Sequence, residues 1–166
     1  MDIKTGLEEK VGELMRQKGL KLAVAESCTG GLIAHRITNV PGSSDYFLGG
    51  MVTYAYEAKQ EWLGVRAETL AKHGVVSRET VLEMARGIRH AFRNLVDVDM
   101  IIGLAVSGIA GPSGGTQNKP VGLAWIGLSA KEEDFAWKFQ FQGQRDEIKA
   151  QSADAALVRL MEYLKP

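Results

Sequence analysis

Apolar residues recur at helical spacing at the start of the chain (Leu7, Val11, Leu14, Met15), and Gly19 follows where such a helix would stop. "KLAVAE" (21–26) then predicts a short buried strand. Leu32, Ile33, Arg36 and Ile37 predict a helix that ends before Pro41. "DYFLGGMVTYA", aromatic and β-branched around two glycines, predicts a strand near 47–54, with short helices over 57–62 and 67–73 after it. Val81, Met84, Ile88, Phe92 and Leu95 form a stripe that predicts a helix over 78–94, with Ser77 at its N-cap and Glu79 in its first turn.

The second half reads differently. "MIIGLAV" (100–106) is a continuous apolar run, as expected of a strand covered on both faces. "SGIAGPSGGTQNKP" is a long loop of glycine, proline and polar residues, and "VGLAWIGL" (121–128) is the next strand. Phe135, Trp137, Phe139 and Phe141 alternate with polar or small residues, so they predict a half-buried strand paired antiparallel with its predecessor across "KEED". Ala150, Ala153, Leu157, Leu160 and Leu164 line a closing helix. This order predicts a mixed central sheet with helices on both faces: a single three-layer α/β/α domain over 1–166.

Composition narrows the partners. Twenty basic and twenty acidic residues cancel, which gives no electrostatic reason to expect nucleic acid. One cysteine excludes an internal disulfide and fits a reducing cytoplasm. "MDIKTGLEEK" has no apolar stretch of the secretion-signal type, and no run is long enough for a bilayer, so a membrane partner is not expected. His35, His73 and His90 lie far apart without metal-ligand spacing, and neither metal nor cofactor is expected.

"AESCTGG" (25–31) is the first candidate site. A serine between a strand and a helix sits at the carboxyl edge of the sheet, where open α/β folds place ligands, and the helix start offers free N–H groups. The competing reading is structural: Ser27 or Thr29 is an N-cap, and Gly30 and Gly31 allow close packing. As a nucleophile Ser27 needs a base. Lys59 is the best placed by topology if burial lowers its pKa, and Tyr54 is a candidate to relay or orient a proton between them. The competing readings are a solvated lysine and a strand aromatic. Cys28 reads as a small buried residue, although a helix start can activate a thiol. The glycine loop does not fit a P-loop, but its amides can bind a carboxylate, phosphate or amide oxygen, and the alternative is a wide turn. Arg145 could reach an anionic group or stand on the surface.

The stretches "AESCTGG", "PGSSDYFLGGMVTYAYEAKQEWLGV", "HGVVS", "SGIAGPSGG…KPVG" and "GQRDEI" resemble, in this order, the CinA C-terminal domain family. Its standalone members are nicotinamide-mononucleotide amidohydrolases of the PncC type. The resemblance implies a three-layer α/β/α fold, often dimeric, and a small-molecule nucleotide substrate whose carboxamide becomes a carboxylate and ammonia. It assigns Ser27 as nucleophile, Lys59 as its activating base and Tyr54 as the tyrosine between them. Thr29, Gly30 and Gly31 match the oxyanion and substrate turn. Ser107, Gly108, Gly111, Gly114 and Gly115 match the pocket loop, and Arg145 matches an arginine that would hold the phosphate. Two positions depart from the family pattern: Tyr56 replaces an asparagine, and Gln144 replaces an aspartate. They leave open a catalytically silent relative that binds a nucleotide or a protein partner, and an amidase for another small carboxamide.

Overall fold

A computed structural model describes residues 6–165; Met1–Thr5, in the charged N-terminal stretch, and Pro166 lie outside the described residues. The elements run α1 (Leu7–Lys18), β1 (Lys21–Glu26), α2 (Leu32–Thr38), β2 (Phe47–Val52), α3 (Tyr56–Leu63), α4 (Ala67–His73), α5 (Arg78–Ala91), β3 (Ile101–Gly108), β4 (Leu123–Ser129), β5 (Asp134–Gln140) and α6 (Arg145–Leu164). The strands form one mixed sheet in the order β2-β1-β3-β4-β5. β1 pairs parallel with β2 and β3, whereas β3–β4 and β4–β5 are antiparallel. The predicted α/β/α layering holds.

The two faces of the sheet are packed by residues of different size. Leu22, Val24, Ile102, Leu104, Val106 and Ile126 meet α1, α2 and α6. The alternate positions, Ala23, Ala25 and Ala105, meet α5. Small residues there let the helix lie close to the strands: a Cβ at Gly103 would fall 2.1 Å from the Ala85 carbonyl oxygen, and one at Gly127 would fall 2.6 Å from that of Val81. α5 is therefore seated on the middle of the sheet, and Ser77 caps it by accepting from the Thr80 N–H at 3.1 Å.

Two stripes end differently from the expectation. α5 stops at Ala91, and the chain turns at Phe92, so Leu95 is exposed rather than on the helix face. In α6 the buried stripe begins at Ile148, while Ala150 faces solvent.

The parallel pairing aligns the three strand ends. Glu26 is in register with Val52 on β2 and with Val106 on β3. The ladder continues one step: the Thr53 N–H donates to the Glu26 carbonyl at 2.9 Å, and the Ser27 N–H donates to the Val106 carbonyl at 3.2 Å. Thr53 and Ser27 thus leave the sheet side by side at its carboxyl edge, next to Ser107 near the end of β3.

Candidate active site

Beyond Thr53 the chain reverses into α3, whose first turn carries Lys59 back over the end of β1. Its side chain is 1% exposed, and its Nζ stands 2.9 Å from Ser27 Oγ. Nζ also donates to the Thr53 carbonyl at 2.5 Å and faces the Tyr54 carbonyl at 3.4 Å. Three oxygens therefore surround the amine. As an ammonium it donates to all three. As a neutral amine it keeps the two carbonyls and turns its lone pair to the Ser27 hydroxyl. Burial lowers the Lys59 pKa to about 8, and no carboxylate pairs with it among the described residues. The reading of a solvated lysine does not hold.

Ser27 does not cap α2, and neither does Thr29. Glu26, the last residue of β1 and 1% exposed, performs that role. Its carboxylate accepts from the Thr29 hydroxyl at 2.6 Å and from the N–H groups of Gly31 at 3.1 Å, Ile33 at 3.1 Å and Ala34 at 2.8 Å. A carboxylate in an apolar run directly before a helix start was the signal in the sequence, and sequence reasoning missed it. Gly30 and Gly31 have φ of 62° and 98°, so the turn passes twice through the left-handed region, which glycine adopts without strain.

This arrangement corrects the expected substrate turn. Thr29, Gly30 and Gly31 lie outside the cavity lining, and the Gly31 N–H is taken by Glu26. The N–H groups of Cys28 and Thr29, by contrast, donate to no backbone carbonyl among the described residues. Cys28 itself is buried, which pushes its thiol up to about 11, so it stays protonated beside Ser27.

The cavity above Ser27 and Lys59 measures about 300 Å³. Ser107, Gly108, Gly111 and Gly114 line it together with Tyr54, Tyr56 and Arg145, and so do Val75, Val76, Ile109, Ala110 and Ser113, which the sequence did not single out. Gly115 does not reach it; a Cβ there would meet the Val121 nitrogen at 2.8 Å. The Ser107 hydroxyl turns away to donate to the Val75 carbonyl at 2.8 Å, tying the segment before α5 to the sheet.

Tyr54 departs from its expected place. Its hydroxyl accepts from Arg145 Nη2 at 2.8 Å, and only its backbone carbonyl faces Lys59. Alternation explains this, because Thr53 points inward at 0% exposure and its neighbour points out at 58%. Tyr54 therefore does not stand between base and nucleophile. Arg145 also donates through Nη1 to the Gly111 carbonyl at 2.6 Å, so it clasps the glycine loop to the strand end. Of the two departing positions, Tyr56 lines the cavity, whereas Gln144 is the N-cap of α6 and lies outside it, its N–H donating to Glu147 at 2.6 Å.

A family model described as the CinA C-terminal domain matches residues 4–164. Among curated relatives, a CinA-like protein of Chloroherpeton thalassium is 51% identical over 162 residues, covering 95% of this chain and 37% of its own length. A CinA-like protein of Thermotoga maritima is 45% identical over 159 residues, covering 96% of this chain and 37% of its own. The chain thus spans little more than a third of these relatives. Solved structures match at full length: a CinA superfamily protein of Klebsiella pneumoniae has a TM-score of 0.86 at 35% identity, covering 95% of both chains. A competence/damage inducible protein of Agrobacterium tumefaciens has a TM-score of 0.85 at 36% identity, covering 99% of this chain and 100% of that one. The chain belongs to the CinA C-terminal domain family.

Proposed function

We propose that this domain hydrolyses the carboxamide of nicotinamide mononucleotide to nicotinate mononucleotide and ammonia, with Ser27 as nucleophile and Lys59 as base. The observation that carries the reading is the 2.9 Å approach of Lys59 Nζ to Ser27 Oγ in a buried setting. A pKa near 8 leaves a useful fraction of neutral amine at neutral pH. The substrate itself comes from the family resemblance; Arg145 at the cavity rim is a suitable partner for its phosphate.

The chemistry follows from these groups. Lys59 takes the Ser27 proton while Oγ attacks the carboxamide carbon, and backbone N–H groups of the cavity lining stabilise the resulting oxyanion. The Lys59 ammonium then protonates the leaving nitrogen, ammonia departs, and an ester remains on Ser27. Water attacks that ester with Lys59 again as base, and the proton returns to Oγ as the carboxylic acid leaves.

Tyr56 favours a second reading, a domain that binds the nucleotide without turnover, because a large side chain occupies the lining where the family pattern has an asparagine. Incubation of pure protein with the nucleotide separates the two. Equimolar ammonia and nicotinate mononucleotide support hydrolysis. Nucleotide-dependent thermal stabilisation without ammonia supports silent binding, and ammonia from other carboxamides alone assigns a different amide substrate.

A further inference from the structure

Fifteen residues line the cavity over Ser27, and no aspartate or glutamate is among them. Its charged side chains are Lys59 and Arg145, both cationic when protonated. A positively charged ring entering this space therefore meets no ionic partner. Carbonyl oxygens, the hydroxyls of Ser27, Ser107 and Ser113, and the rings of Tyr54 and Tyr56 are the groups there that can oppose that unfavourable field, and an aromatic face is negative and attracts a cation.

The two tyrosines are not equivalent. Tyr54 is engaged, because its hydroxyl accepts from the Arg145 guanidinium at 2.8 Å. Tyr56 makes no hydrogen bond, aromatic stack or cation contact among the described residues, yet it is 58% exposed while lining the cavity. It is the first residue of α3 and Lys59 is the fourth, so the two lie on one helix face a turn apart. The ring of Tyr56 is thus the free aromatic surface at the cavity mouth, on the same helix face as the base.

We propose that Tyr56 is a specificity-determining residue that selects a ring bearing a permanent positive charge, an N-substituted pyridinium carboxamide, over a neutral pyridine carboxamide of the same shape. The inference rests on the proposed amidohydrolase site and adds to it the group that distinguishes nucleotide from free base. Tyr56 acts in binding and moves no proton. A leucine at this position would keep apolar contact and lose the negative face; a phenylalanine would keep the face and lose only the hydroxyl.

The test uses Ser27→Ala protein, which holds ligand without turnover, and compares 1-methylpyridinium-3-carboxamide with nicotinamide by NMR titration. Adding Tyr56→Leu weakens the cation about two- to fivefold relative to the neutral amide, as expected for a cation–π contact at an open site. Adding Tyr56→Phe leaves the ratio of the two affinities unchanged. Equal weakening of both ligands by Tyr56→Leu, or loss of the preference in Tyr56→Phe, overturns the proposal while leaving the amidohydrolase reading intact. If neither ligand binds, the ring-binding site itself is refuted and the inference with it. If the cation preference follows Tyr56 but unmutated protein releases no ammonia from the nucleotide, the inference stands and the hydrolytic reading falls.

Discussion

Glu26 and Thr29 are joined by a 2.6 Å hydrogen bond inside the protein, with the hydroxyl donating to the carboxylate. The same carboxylate takes three backbone N–H groups at the start of α2, so one buried side chain holds the turn that carries Ser27. Glu26→Ala leaves those donors without an acceptor and is expected to cost about 3 kcal/mol, with Glu26→Gln intermediate. Urea unfolding of the three proteins measures this, and an alanine variant as stable as the parent would contradict the assigned role.

Lys59 makes stability depend on pH. Its pKa is about 8 folded, against an ordinary value of 10.5. Below pH 8 both states are protonated and the burial penalty is fully present. Between 8 and 10.5 the unfolded chain binds the extra proton, so stability rises with pH across that window. Relative to Lys59→Met, which lacks the titration, the parent protein is expected to gain about 2 kcal/mol between pH 7 and pH 9.5. Paired urea melts at the two pH values give this difference directly; a difference of zero would mean that Lys59 is not desolvated.

Turnover should follow the same ionisation. On the proposed mechanism kcat/KM rises with pH and levels off above about 8, as neutral Lys59 accumulates. The Cys28 thiol, pushed up to about 11, contributes no second ionisation in that range. Cys28→Ala is expected to keep activity within about tenfold and to preserve the profile, whereas a nucleophilic thiol would lose nearly everything. A pH–rate series on both proteins decides between these outcomes.

Gly103 tests the packing that seats α5. A methyl group there would meet the Ala85 carbonyl oxygen at 2.1 Å and Arg89 Cβ at 2.9 Å, and neither belongs to the end of a flexible chain. Gly103→Ala is expected to destabilise by about 3 kcal/mol or more, read as a drop in the thermal midpoint. An unchanged midpoint would show that α5 can lift from the sheet at little cost.

Much of this architecture was legible because hydrophobic periodicity and sheet topology are local or pairwise rules. "KLAVAE", "MIIGLAV" and the 81–88 stripe each carried enough pattern to place β1, β3 and α5. The stripe overran at Leu95 because periodicity continues past Ala91 although the backbone does not. Topology made Lys59 the best-placed base for Ser27, but a contact across 32 residues leaves no local trace, and resemblance was needed to prefer it over a solvated lysine. Tyr54 and Thr53 show the opposite case: strand alternation alone would have sent Thr53 inward and Tyr54 outward. Glu26 was passed over because it was read as the end of a strand rather than as the cap of the helix that begins at Leu32, beyond the turn.

The most direct test of the central claim is ammonia release from nicotinamide mononucleotide by the parent protein and by Ser27→Ala under identical conditions. The account predicts steady release by the parent and a fall of at least about a thousandfold in the variant, the scale expected when a nucleophile is removed. Equal release by the two proteins would contradict a serine nucleophile at Ser27.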